Sequence, residues 1–247
     1  MRSTIEILPA PPAGADPGRD RLSLLGQLLA DTQAGGRPVA PVPPHLLRAP
    51  DGGPPIALPR PAPPRASLDD VLPGRTAVRD FAGTPVAAAE LSALLAAADR
   101  MDAEAFPAER DAGLGLELYC AAARVTGLDA GLYRHVPERP ALRPVASLPD
   151  GLDELVTQPG IAGAPALLII MGNLAGALAR HGSHGHRLLL SRAGAAGQAA
   201  WLTALRLHLT GTLYAGLQPH VLRERAGADG YHRAALLAFA AGHPQHG

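Results

Sequence analysis

Proline decides where this chain can build regular structure. Pro9 to Pro12, Pro41 to Pro44 and Pro59 to Pro64 punctuate its first 66 residues. A ring that fixes φ and removes a backbone donor breaks helices and leaves extended or polyproline segments. Residues 1–66 therefore read as a proline-rich N-terminal arm. One short helix fits over residues 21–32, where Leu24, Leu25, Leu28 and Leu29 share a face. An arm of this kind either stays flexible or lies extended along a second subunit or a partner. Ile56-Ala57-Leu58-Pro59 reads as a short edge strand able to dock.

Residues 67–247 have a globular pattern, which makes them the folded domain. Thr84-Pro85 offers an N-cap followed by proline at the first helical position. The helix is then expected to run through Leu91, Leu94 and Leu95 to about Arg100. Residues 113–125 alternate loosely and predict a strand, with Leu116, Leu118, Cys120 and Ala122 on one side. Residues 127–133 predict a turn into a further strand. The unbroken run Leu167 to Ile170 predicts a central buried strand. Residues 186–209 form the longest helical pattern, apolar on all sides, which suits the core or a subunit interface. Residues 231–241 suit a terminal helix or strand. This order gives an α+β fold. The Gly113-Leu114-Gly115 run precedes a strand, the wrong context for a dinucleotide or phosphate loop.

Composition closes off several function classes. Of 247 residues, 22 are basic and 22 acidic, so the formal net charge is zero. That argues against nucleic-acid binding and against a polybasic membrane anchor. No apolar run reaches transmembrane length. All 22 basic side chains are arginine, so no lysine can act in catalysis. Cys120 is the single cysteine, which excludes an intrachain disulfide; it reads as a buried core residue and fits a reducing cytoplasm. His181, His184 and His186 lack an acidic partner and strong ligand spacing, so no metal is expected.

The most telling segment is Arg75-Thr76-Ala77-Val78-Arg79-Asp80-Phe81. On a helical turn, arginines four apart point the same way. Two forked, permanently charged donors suit a phosphate monoester. The bland alternative is a pair of surface arginines in ion pairs with Asp69 or Asp80.

These residues, taken with later landmarks in order, resemble the SagB-type azoline dehydrogenases, a nitroreductase-like FMN-dependent oxidoreductase family. The resemblance spans roughly residues 56–244. Arg75 to Phe81 resembles an Arg-x-Ser-x-Arg-x-Phe opening motif with alanine in the serine position. Glu117-Leu118-Tyr119, Gly131-Leu132-Tyr133 and Ala164-Pro165 resemble the next landmarks. His181 to Arg187, Ala193-Gly194, Gln198, Gly216 and Gly242-His243-Pro244 resemble the later ones. The resemblance implies a central, mostly antiparallel sheet flanked by helices, in an interlocked homodimer with FMN at the subunit interface. It implies FMN contacts from Arg75, Thr76, Ala77, Arg79, Ala112, Gly113, Gln198, Gly211 and Thr212. It also implies a precursor peptide containing azoline rings as substrate, and a cyclodehydratase as a possible partner.

Three departures bear on activity. A Pro-Ser-Ala-Gly segment of the family is reduced here to Ala112-Gly113, preceded by the bulky Arg110. The family's Lys-Tyr pair is replaced by Arg180-His181. Arginine stays protonated, whereas histidine can accept a proton. That assigns the base to His181, with His184 and His186 as nearby alternatives, and charge stabilisation to Arg180. Glycines expected after the long helix are replaced by His208 and Thr210. The first expectation is an FMN-dependent dehydrogenase that converts thiazoline or oxazoline rings to azoles. The alternatives are a catalytically degenerate scaffold in a peptide-modification complex and a nicotinamide-dependent flavin reductase.

Overall fold

The structure, a computed structural model, describes Ser23, residues 41–46 and residues 53–245. The helix expected over 21–32 and the rest of the proline-rich arm before residue 41 lie outside the described residues, Ser23 apart. The account below concerns residues 40–247, which form one unit.

Seven strands form one antiparallel sheet. In chain order they are β1 (Ile56–Ala57), β2 (Glu117–Ala122), β3 (Gly131–Val136), β4 (Ala141–Ser147), β5 (Ala166–Gly172), β6 (Thr210–Tyr214) and β7 (Ala234–Gly242). Their spatial order is β1-β4-β3-β2-β5-β7-β6. The central position of β5 follows from its composition. All seven of its residues are buried, and only a strand covered on both faces can be apolar throughout. Ile56 and Ala57 pair with Leu142 and Ala141, so the expected docking strand forms the sheet edge.

Period-two alternation sends β2 side chains to two separate cores. Leu118, Cys120 and Ala122 join Leu168, Ile170 and Phe239 on one face. Tyr119 and Ala121 join Leu167, Ile169 and Met171 on the other. Two long helices cover the first face: α2 (Ala88–Ala105) and α6 (His184–Arg206). The second is covered by residues 148–162 and by α7 (Pro219–Ala226). The shorter helices are α1 (Leu68–Val71), α3 (Pro107–Asp111), α4 (Pro159–Ala162) and α5 (Leu174–His181). Cys120 is fully buried, and burial pushes its thiol pKa up to about 12. It is an inert core residue.

Several boundaries differ from the sequence expectation for identifiable reasons. The helix expected at Thr84-Pro85 starts at Ala88, because Val86 is buried and bridges Val125. Its first turn is capped from elsewhere. Ala87 N–H donates to Glu90 Oε2 at 3.0 Å, and Ala88 N–H donates to Thr126 Oγ1 at 3.0 Å. Residues 113–116 are withdrawn from the β2 strand. Leu114 N–H returns to Glu109 O, and Leu116 N–H donates to Asp102 Oδ2 at 2.9 Å. Within the chain α6 buries one stripe, Leu189, Ala193, Ala196, Ala200 and Ala204, while Leu190 is exposed. The helix ends where His208 adopts a left-handed φ of 60° and Leu209 N–H returns to Ala204 O at 2.9 Å. A histidine thus performs the chain reversal that usually falls to glycine. The terminal element is a strand, β7.

Gly211 is the tightest glycine in the sheet. A Cβ there would lie 2.0 Å from Ala240 O and 2.8 Å from the Phe239 ring. Gly194, in the middle of α6, has nothing within 4 Å of its virtual Cβ. Opposite outcomes are expected in urea unfolding. Gly211→Ala should destabilise by about 2 kcal/mol or more, through overpacking against backbone. Gly194→Ala should stabilise by about 0.5–1 kcal/mol, through helix propensity.

His135 on β3 is also buried, and desolvation lowers its pKa. Asp99 and Glu138 oppose the shift, while Arg110 and Arg134 add to it. Between that lowered value and the ordinary value near 6.5, the unfolded chain binds a proton and the folded chain does not. The stability contribution is present above pH ~6.5 and falls as pH drops below it. Unfolding curves measured from pH 7 to pH 5 should show this slope, and His135→Gln should flatten it.

Candidate functional site

A buried polar cluster joins α2, α3, α5, α6 and the entry to β2. Its anchor is Asp102, on the apolar stripe of α2 four residues after Ala98. Arg192 meets it from the buried stripe of α6. Arg192 Nε donates to Asp102 Oδ1 and Nη2 to Oδ2, each at 2.8 Å. Nη2 also donates to Leu114 O at 2.8 Å. With Leu116 N–H on Oδ2, the carboxylate is fully engaged. A two-pronged guanidinium–carboxylate pair of this kind fixes orientation as well as charge. The Arg192 side chain is only 1% exposed.

Glu109 on α3 extends the cluster outward. Its side chain is 7% exposed. Oε1 accepts from Arg180 Nε at 3.2 Å and from His181 Nε2 at 3.0 Å. Oε2 lies 4.0 Å from Arg192 Nη1 and has no hydrogen-bond partner. Arg180 Nη2 also reaches Ala108 O at 3.5 Å. Arg180 and His181 form the last turn of α5, and Gly182 with φ 60° ends that helix. The arginine–histidine pair singled out in the sequence is thus one half of this polar cluster. Glu109, Asp102 and Arg192 complete it, and sequence reasoning missed them. Their signal was a charged residue at a core position of an apolar helical stripe. The three histidines sit at the junction of α5 and α6, where His184 Nδ1 lies 3.2 Å from Arg187 Nη2. Among the described residues, no three His, Cys, Asp or Glu side chains are grouped to hold a metal ion.

The arginine segment lies elsewhere. Residues 75–80 have no regular secondary structure, which corrects the helical-turn reading of Arg75 and Arg79. Non-helical backbone lets residues four apart separate by up to about 14 Å. The segment runs along the free edge of β6, where Val78 N–H donates to Gly211 O at 3.1 Å. Phe81 then bridges Pro244. The Arg75 guanidinium lies over the Trp201 ring of α6, 4.7 Å from its centroid. Such stacking uses the guanidinium face and leaves its in-plane donors available. Among the described residues, neither Arg75 nor Arg79 has a carboxylate within ion-pair distance, so the alternative of pairing with Asp69 or Asp80 does not occur. Arg75, Thr76, Ala77 and Arg79 are all exposed.

Gln198 is half-buried on α6, one turn before Trp201. Gly211 and Thr212 lie next to the arginine segment but pack inward on β7. The Thr212 hydroxyl donates to Leu213 O at 3.2 Å. Ala112 and exposed Gly113 end α3 beside Glu109; Gly113 has a φ of 74°, which suits glycine there. Arg110 turns away to Asp99, with Nη2 to Oδ1 at 2.6 Å. The sequence-predicted residues therefore form two groups along α6. One lies by Trp201 and the other by Arg192, about 14 Å apart at 1.5 Å of rise per residue.

For FMN, the donor chemistry of the Trp201 end fits. Two exposed arginines without carboxylate partners suit a phosphate dianion. Among the described residues, no helix is long and apolar enough to cross a membrane.

Comparison with known proteins gives the fold and then the family. The chain superimposes on a nitroreductase-type structure from Ralstonia eutropha with a TM-score of 0.61 and 21% identity, over 85% of this chain and 100% of that one. A nitroreductase-type structure from Anabaena variabilis gives a TM-score of 0.62 and 24% identity over 72% of this chain. This chain spans only 38% of the Anabaena chain. A chain of the E. coli microcin synthetase McbBCD complex, with truncated pro-MccB17 bound, gives 0.54 and 17% identity over 92% and 94% of the two chains. The architecture is therefore the nitroreductase-like α+β fold. No protein-family model matches. MJ1384 of Methanocaldococcus jannaschii, a nitroreductase-type protein, is 32% identical over 155 residues, covering 60% of this chain and 78% of that protein. The chain belongs to the nitroreductase family.

Arg192→Met should destabilise the protein by about 3–5 kcal/mol, because it strands Asp102 as a buried, uncompensated charge. Denaturant unfolding monitored through Trp201 measures this. A loss within about 0.5 kcal/mol would mean that the pair does not hold α2 to α6.

Proposed function

We propose that this protein is an FMN-dependent dehydrogenase that oxidises thiazoline or oxazoline rings to azoles in a ribosomally made, post-translationally modified peptide. The observation that carries the reading is the exposed arginine segment beside α6 in a nitroreductase-family fold. Arg75 and Arg79 offer planar donors with no competing carboxylate, and Arg75 is steadied on Trp201. They would hold the FMN phosphate and ribityl chain, with Gln198 on the same helix as a further polar contact. FMN, when bound, supplies a two-electron acceptor.

At the other end of α6, His181 would take the ring proton. Arg180 would stabilise charge that develops beside it. The likeness to a chain of a microcin synthetase complex with a pro-peptide bound, over nearly the whole of both chains, supports a peptide substrate. It equally supports a cyclodehydratase partner. A homodimer would bring a second copy to the exposed side of α6, where Leu190 and the edge of the arginine segment lie.

A second reading has its own observation. Ala77 stands in the serine position of the opening motif, Arg180-His181 replace the Lys-Tyr pair, and His208 and Thr210 replace expected glycines. These features favour a catalytically degenerate partner that keeps the nitroreductase-like shell. One preparation separates the two. Protein that carries stoichiometric FMN, bleached by dithionite, supports the dehydrogenase; colourless protein that cannot be reconstituted supports the scaffold.

The double variant Arg75→Ala/Arg79→Ala should weaken FMN binding by about 100-fold or more, taking about 1.5 kcal/mol or more for each charged hydrogen bond lost. Fluorescence titration with FMN measures it. Wild-type affinity in the double variant would refute the phosphate assignment.

A further inference from the structure

We propose that Glu109 is a positioning residue that fixes the tautomer of His181, holding Nε2–H on Oε1 and leaving Nδ1 as the proton acceptor. The inference deepens the dehydrogenase reading and rests on it for the chemical step. It starts from the 3.0 Å contact between His181 Nε2 and Glu109 Oε1. An ionised carboxylate only accepts, so the shared proton belongs to Nε2. A neutral imidazole with its proton there has its lone pair at Nδ1. Among the described residues, Nδ1 has no hydrogen-bond partner. The side chain is 17% exposed, so the ring meets the protein surface.

The surroundings show why the carboxylate can hold this role. Glu109 is buried on α3, directly after the corner that ends α2. Arg180 binds the same oxygen from one side. Arg192 stands 4.0 Å from the other oxygen, held by Asp102. Two carboxylates and two guanidinium groups balance without the imidazole. The extra positive charge formed when Nδ1 takes a proton is met by Oε1. In the proposed reaction, Nδ1 takes the proton from one ring carbon. The electron pair of that C–H bond would become the new ring double bond while the neighbouring carbon gives up hydride, for which FMN, when bound, would be the two-electron acceptor. The arrangement resembles other carboxylate–imidazole pairs in which the acid orients a base and stays ionised itself.

The test uses the full chain labelled with 15N-histidine. Two-bond 1H–15N spectra report which ring nitrogen carries the proton, and His181→Gln identifies the His181 signals by their loss. The expected result is an Nε2–H tautomer in the wild type and a mixture of tautomers in Glu109→Gln, whose amide can donate as well as accept. An Nδ1–H tautomer in the wild type, or a spectrum unchanged by Glu109→Gln, would overturn the proposal. This readout needs neither flavin nor substrate.

Kinetics with an azoline-containing peptide supply the second measurement. Glu109→Gln should lower kcat by about 10- to 100-fold, within the range of general-base catalysis, with KM and FMN content unchanged. An unchanged kcat would also overturn the positioning role. If the wild type shows the Nε2–H tautomer but turns over no azoline peptide, the functional reading fails while the Glu109–His181 pairing stands.

Discussion

The buried pair between Asp102 and Arg192 is the constraint on which the rest of this molecule depends. Arg192 is nearly sealed, and a guanidinium in that position must find an acceptor for each donor it loses to water. Asp102 and Leu114 O accept hydrogen bonds from it, and the carboxylate of Glu109 adds opposite charge 4.0 Å away. In doing so they fix α2 against α6, draw residues 114–116 away from β2 and set the course of α3. A hydrophobic contact of similar size would hold the helices together but would tolerate sliding. The forked ion pair has one register.

That register has a consequence at the surface. Because α3 is fixed, Glu109 faces the end of α5 and meets Arg180 and His181 there. Charge is thus handed from the sealed interior to the solvent boundary through one side chain. The opposite end of α6 is arranged differently. There an irregular segment caps the sheet edge by one backbone hydrogen bond, Val78 to Gly211, and lays Arg75 over Trp201. One end is rigid and internally balanced. The other presents cationic donors that have no carboxylate partner among the described residues. This polarity along a single helix underlies the proposed division between proton handling and phosphate binding.

The legible parts of the fold were those written in short-range apolar pattern. The run through Leu167 to Ile170 gave a fully buried strand, and the alternation of Leu118, Cys120 and Ala122 placed them on one face. The long helix was visible, as was the docking strand at Ile56. The helix start at Thr84-Pro85 was misplaced because Thr126, far away in sequence, supplies the first-turn cap. His208 stood out as a departure from glycine, and its left-handed φ shows that the histidine itself makes the turn. At the candidate site, Arg180-His181 was found by position, whereas Glu109 was not. Its partners come from helices separated by about seventy residues, and no local pattern encodes that meeting.

The sequence alone determined the alternation of elements, the absence of lysine chemistry and the α+β class, because periodicity and composition act within a few residues. Tertiary structure decided which charges meet. Asp102 and Arg192 look like isolated polar interruptions of two apolar stripes until packing brings those stripes face to face. The reason is physical: a buried charge is tolerable only with its partner in place, and that partner is chosen by how the helices pack.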